Sequence, residues 1–170
     1  RELAPARSGC FIERVAVFRG YLALLERRAA LTHLRVIERA GGTEHEVVFP
    51  EPAYELWLEN IPGINTDTVR LGYTSLATPV SFYDYNMARR VLTLVSRENV
   101  PGYESARYVV ERHWARSHDG ARVPISLVRR RGRARPAPLL LFGYGAYGSN
   151  IPTFFDQSRL ALLERGFVYA

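Results

Sequence analysis

Lysine is absent from this 170-residue chain, and cysteine and methionine occur once each. A lone thiol, Cys10, excludes an internal disulfide framework and the four-cysteine zinc modules. No run of about eighteen apolar residues occurs, which excludes a transmembrane helix. The first residue is Arg1, and no basic segment leads into an apolar stretch with a small-residue cleavage site, so no signal peptide is read. The nucleophile elbow Gly-x-Ser-x-Gly is missing as well, because Ser149 after Gly148 runs on into Asn150 and Ile151.

What is present describes an ordinary soluble globular chain of one-domain length, 47% apolar and 24% charged. The net charge of +6 is carried entirely by arginine, which reads as genome-wide codon bias rather than as a binding face. Only Arg129, Arg130, Arg131, Arg133 and Arg135 crowd together. A Gly- and Pro-punctuated basic stretch between two apolar strands reads as a solvated connection. A nucleic-acid interface built on it would lack interleaved stacking aromatics, so no nucleic-acid partner is expected, and no membrane contact either.

Along the first hundred residues the texture is that of short strands with turn punctuation. Residues 21–40 are the ambiguous stretch. Their Ala, Leu, Glu and Arg content favours a helix by propensity, and the alternative is two strands joined near Arg28-Ala29-Ala30. Gly41-Gly42 then marks a hairpin turn, Pro50, Pro52, Pro62 and Gly63 break the chain, and residues 69–75 alternate with a period of two. Two further strands, at 80–85 and 90–95, suggest a sandwich, barrel or propeller.

From residue 100 onward the pattern changes. Apolar strands at 109–114 and 123–128 flank an Asp119-Gly120 turn, and residues 139–142 form a continuous apolar run of the kind a strand buried on both faces shows. Residues 155–165 predict a short helix stopped by Gly166, and 167–170 open another buried strand. A domain that stops there leaves a half-built sheet, so the second domain is expected to be incomplete.

The most informative segment is Phe142-Gly143-Tyr144-Gly145-Ala146-Tyr147-Gly148. Its glycines satisfy the G-x-G-x-x-G dinucleotide pattern, but Ser149-Asn150-Ile151-Pro152 delays the helix that would meet a pyrophosphate. The other reading is a glycine-permitted loop after a buried strand, presenting an oxyanion donor to an acyl-transfer site. With Gly72-Tyr73-Thr74-Ser75-Leu76-Ala77-Thr78-Pro79, Tyr83-Asp84-Tyr85-Asn86-Met87, Val100-Pro101-Gly102-Tyr103, Asp119-Gly120-Ala121-Arg122-Val123-Pro124 and Ser158-Arg159-Leu160 in consistent order, the chain resembles the prolyl oligopeptidase family, and within it the oligopeptidase B branch.

The resemblance implies a multi-domain fold, β plus α/β. Residues 1–99 would be the C-terminal blades of a seven-bladed β-propeller, and residues 100–170 the N-terminal part of an α/β-hydrolase domain. It also selects strands over helix at 21–40. It implies a cytoplasmic serine peptidase that hydrolyses short peptides after Arg or Lys through a Ser-His-Asp acyl-enzyme, with all three triad residues downstream of Ala170 and no cofactor or metal. This chain alone is then expected to be inactive, and its main partner is the remainder of its own catalytic domain. By the same resemblance Tyr144 completes the oxyanion hole and Tyr147 lies near the substrate pocket, while Gly143 and Gly145 supply backbone freedom and Asp119 a turn. Where the branch carries two aspartates beyond the glycine loop, this chain has Pro152 and Phe154, with Asp156 two residues on as a helix first-turn residue, so a dibasic preference is not expected. His33, His45, His113 and His118 read as structural. Two other classes stay open, a non-catalytic β-rich binding module and the arginine-rich nucleic-acid binder.

Overall fold

A computed structural model of the chain describes residues 4–5, 7–59, 63–132 and 136–170, so Arg133 and Arg135 of the basic cluster lie outside the described residues. The ambiguous stretch folds as two strands. β1 (Cys10–Val17), β2 (Tyr21–Arg28), β3 (Leu31–Glu38) and β4 (Glu44–Val47) pair antiparallel in chain order. β2 and β3 are buried on both faces, so they show no period-two alternation, and burial of Leu22, Leu24, Leu34 and Val36 overrides the helical propensity of the segment. The turn between them is Ala29-Ala30, both in the left-handed region (φ 49° and 64°). The charge that two buried strands carry is paired in part, with Glu26 Oε2 and Arg28 Nε left buried without a partner among the described residues. Arg35 Nε donates to Glu26 at 2.8 Å and its Nη1 to Glu44 at 2.9 Å.

A second four-stranded sheet repeats the form: β5 (Tyr54–Leu58), β6 (Thr68–Ser75), β7 (Ser81–Asn86) and β8 (Val91–Arg97), again in chain order. Meanders of four short strands are the blade form of a propeller. Inside this sheet the backbone of Gly72 lies against the Trp57 indole. A Cβ built on Gly72 would stand 1.8 Å from Trp57 Cε2. The indole N–H donates to Glu59 at 2.6 Å, and Phe82 meets the ring edge-on at 6.3 Å between centroids.

The third sheet is mixed, with β11 (Leu139–Leu140), β12 (Val168–Tyr169), β10 (Arg122–Arg130) and β9 (Tyr108–Arg116) side by side. β9 and β10 form a long antiparallel hairpin around Asp119-Gly120. There the Asp119 carboxylate accepts from Ala121 N at 3.0 Å, and Gly120 takes φ 85°. β12 runs antiparallel to β10 and parallel to β11. The crossover passes through α1 (Leu160–Glu164), a shorter helix than the sequence predicts, because residues 153–156 stay outside it and a 3-10 turn at Gln157–Arg159 precedes it. Gly166, at φ 90°, ends it as expected, with Phe167 N bonded to Leu162 O at 3.1 Å.

Two expectations change here. The 139–142 run is exposed rather than buried on both faces, Leu141 at 68%, because among the described residues β11 has one neighbouring strand and α1 packs on β10 and β12 instead. Arg129 and Arg130 are strand residues of β10 rather than part of a solvated connection, and they pair with Glu111 and Glu164 respectively. By internal contacts the chain divides into two units, residues 1–48, 56–73 and 82–96 in one and 49–55, 74–81 and 97–170 in the other.

Candidate active site

The glycine loop leaves the carboxyl end of β11, and its first leg is part of the parallel ladder. Val168 N bonds Pro138 O (2.8 Å), Ala170 N bonds Leu140 O (2.9 Å), and Phe142 N bonds Ala170 O (2.8 Å). The carboxyl end of a parallel strand is where open α/β sheets place their ligands. Beyond Phe142 the loop is uncovered. Tyr144 is 52% exposed, and its hydroxyl bonds no described residue, which leaves the O–H free to donate.

Tyr147 is 94% exposed and sits at φ 58°, followed by Gly148 at φ 65°, with Ser149 N returning to Ala146 O at 3.1 Å. Two successive left-handed residues make a tight turn, and an aromatic in the first of them is strained by about 1–2 kcal/mol. Gly143 and Gly145 are not in the left-handed region, so backbone freedom is not what they supply. A Cβ on either would meet nothing within 4 Å, and what glycine leaves there is uncovered main chain.

The far leg of the loop rests on residues distant from it in the sequence. Phe155 N donates to Thr74 Oγ1 at 3.1 Å, and the same hydroxyl donates to Thr78 O at 3.0 Å. The Phe155 ring packs on Tyr103 at 4.9 Å, and Tyr103 stacks on Tyr108 at 5.1 Å. Tyr103 O–H donates to Ala77 O at 2.5 Å, and burial pushes its phenol far above the ordinary value. The turn at 75–78 is held by one carboxylate, since Ser75 Oγ and Thr78 Oγ1 donate to the two oxygens of Glu51 at 2.7 and 2.8 Å. Tyr108 O–H donates to Glu164 at 2.6 Å, and burial first, then that bond, pushes the phenol up to about 12. Tyr103 and the 74–78 turn lie inside the segments that carry the family resemblance, the one trace of them in the sequence.

Asp156 caps the 3-10 turn rather than entering a helix. It accepts from Ser158 N at 2.9 Å, and hydrogen bonding from the Ser158 hydroxyl first, then from that N–H, holds its carboxyl below the usual range. Pro152 is exposed, and Phe154 stays partly so. The histidines are dispersed, His33 on Glu46, His45 on Tyr85, His113 on Glu111 and His118 on Ser117. Among the described residues no group of three or more His, Cys, Asp or Glu could hold a metal ion, and no helix is long and apolar enough to cross a membrane.

Residues 1–98 match the family model of the prolyl oligopeptidase N-terminal β-propeller domain. Dipeptidyl aminopeptidase BI of Pseudoxanthomonas mexicana is 38% identical over 96% of this chain and 23% of its own length, and protease 2 of Moraxella lacunata is 32% identical over 94% and 23%. The structure of oligopeptidase B from Trypanosoma brucei with covalently bound antipain, in its closed form, superposes with a TM-score of 0.85 at 31% identity, covering 98% of this chain and 25% of that one. The chain thus spans about a quarter of the length of the relatives it matches. Two blade-like meanders, a mixed sheet with an exposed glycine loop and these matches agree, and the chain belongs to the prolyl oligopeptidase family, whose β-propeller it carries in part.

Proposed function

We propose that this chain is a section of a serine oligopeptidase, with residues 1–99 ending the propeller and residues 100–170 opening an α/β-hydrolase domain. The parallel β11–α1–β12 unit beside an antiparallel hairpin supports the second assignment, because a helical crossover between parallel neighbours is how α/β sheets are built. The nucleophilic serine, its histidine and its aspartate lie beyond Ala170, and the 170-residue chain alone is inactive.

The observation that carries the reading is Tyr144, a half-exposed phenol with an uncommitted O–H at the carboxyl end of a parallel strand. The serine hydroxyl adds to the scissile carbonyl as histidine takes its proton. The leaving amine takes that proton, and water then releases the acyl group. Negative charge builds on the carbonyl oxygen in the first step, and the phenol donates to it there. A phenol is neutral and gives the ground-state peptide no charge to hold, so its stabilisation falls on the transition state. The strained, fully exposed Tyr147 beside it is the substrate-contacting aromatic, since strain of this kind collects at ligand sites.

Substrates are short peptides cut after Arg or Lys in the cytoplasm, with no selection for paired basic residues because Pro152 and Phe154 bring no charge. Nucleic acid is not a partner, as Arg129 and Arg130 are neutralised within the chain. A second reading, removal of N-terminal dipeptides, is favoured by the 38% identity to a protein named dipeptidyl aminopeptidase. The full-length protein, assayed on an Ala-Arg fluorogenic amide with and without N-acetylation, separates the two. Cleavage of the blocked substrate is expected. A strict need for the free amine supports dipeptide release instead, and inertness on both sinks either form of peptidase.

A further inference from the structure

The loop that carries Tyr144 is pinned at both ends and free between them. Its entry is fixed by Phe142 N on Ala170 O. Its exit is fixed over four successive residues, with Thr153 buried, Phe154 O bonded by Arg159 Nη1 at 2.5 Å, Phe155 N on Thr74 Oγ1, and Asp156 capping the next turn. Residues 143–152, between these clamps, are exposed throughout.

Arg159 is the unusual member of the exit clamp. It is 8% exposed, and the one carboxylate near it among the described residues is Asp156, whose Oδ2 stands 3.9 Å away while its Oδ1 accepts from Ser158 N. Its guanidinium carbon lies 4.6 Å from the Phe154 ring centroid and 4.4 Å from that of Tyr169, so the planar group is sandwiched between the loop exit and β12. Burying a charge with so loose a partner is costly, and an aliphatic side chain would fill the same space without that cost. Only a flat, multiply donating cation can stack on rings from two elements while holding a main-chain carbonyl of one of them.

We infer that Arg159 is a positioning residue for the proposed reaction, locking the loop exit at Phe154 to β12 at Tyr169 and thereby setting where the Tyr144 hydroxyl stands when the oxyanion forms. The inference rests on the role of Tyr144 given above. Misplacing a catalytic group by about 1 Å costs on the order of a hundredfold in rate. The consequence falls on the chemical step, because the guanidinium is buried and does not reach substrate.

The test uses the full-length protein and an N-acetylated arginyl amide, with Arg159→Met, Arg159→Lys, Tyr144→Phe and the double variant Tyr144→Phe/Arg159→Met. Arg159→Met is expected to lower kcat by about tenfold to a hundredfold with KM within about twofold. Arg159→Lys recovers part of the loss. The double variant is no slower than Tyr144→Phe alone, because a hydroxyl that is absent cannot be misplaced. A purely structural role would instead make the two losses multiply. Multiplying losses, an unchanged kcat, or a rise in KM alone overturns the inference. If Arg159→Met does not fold, the same comparison is read on Arg159→Lys and its double variant with Tyr144→Phe. If Tyr144→Phe turns over normally, the oxyanion assignment fails. If Tyr144→Phe is slow and the Arg159 variants are not, only the clamp fails.

Discussion

Replacing Gly72 with alanine tests the packing of the second sheet at its tightest point. The new methyl would lie 1.8, 2.1 and 2.3 Å from Trp57 Cε2, Cζ2 and Nε1, inside the indole ring itself. Neither partner is the loose end of a flexible chain, because one is strand backbone and the other a ring held by two contacts. Overpacking of this kind costs about 1–3 kcal/mol. If the indole swings away, it gives up its edge-on contact with Phe82, about 0.5–1.5 kcal/mol, and its N–H bond to Glu59, about 0.5–1.5 kcal/mol. The sum is about 2–6 kcal/mol, a large fraction of a domain's net stability. Urea unfolding of the full-length protein, with hydrogen exchange read on peptides covering β5 and β6, measures it. The control is Gly72→Ala made in a Trp57→Ala background, where the indole atoms it would strike are gone. There the substitution should cost less than about 0.5 kcal/mol, since alanine in a strand relieves part of glycine's entropy cost. An equal cost with and without the indole, or no cost at all in the native background, refutes the reasoning.

Two further outcomes follow from the second unit. Tyr147→Asn should raise stability by about 0.5–1 kcal/mol, because asparagine accepts the left-handed region and the exposed ring loses no packing, while KM for peptides rises. Denaturant midpoints and steady-state kinetics check it, and a variant that is no more stable, or whose KM is unchanged, counts against the assignment. The raised phenol of Tyr108 predicts alkaline lability. The folded state holds the proton more tightly than the unfolded one, so the stability it contributes is whole below pH 10, the ordinary value, and drains as pH rises towards about 12. Tyr108→Phe should flatten that part of the pH–stability curve, and an unchanged slope in the variant rules out Tyr108 as its source.

How much of the fold is legible in the sequence depends on local pattern and turn chemistry. Residues 69–75 alternate in sequence and are read correctly as a strand, although only Arg70 among them is exposed, and Gly41-Gly42 and Asp119-Gly120 announce their turns. Residues 21–38 are harder, for two physical reasons. Burial on both faces erases alternation, and the hairpin turns on Ala29-Ala30, residues that carry no turn signal although both adopt positive φ. Composition there speaks for helix, and only the pairing of Leu25 with Leu34 and its neighbours across the sheet decides otherwise. The 139–142 run fails in the opposite direction. Its apolarity is that of a doubly covered strand, but among the described residues nothing covers it.

The candidate site divides along the same line between local and non-local information. The glycine loop is legible because its chemistry is local: a tyrosine whose neighbours on both sides are glycines, at the end of an apolar run. What fixes that loop in space is not local at all. Thr74 acts on Phe155 across 81 residues, Tyr103 on Ala77 across 26, and Glu51 on Thr78 across 27, through hydrogen bonds whose pairing no local periodicity reveals. Arg159 lies only five residues from the carbonyl it holds, yet in the sequence it is one arginine among 23 basic residues, and only its burial between two rings sets it apart. The residues that touch substrate need to be exposed and free of partners, whereas those that aim them need to be buried and fully engaged. Sequence patterning reports the first kind, and the second becomes visible only when the chain is folded.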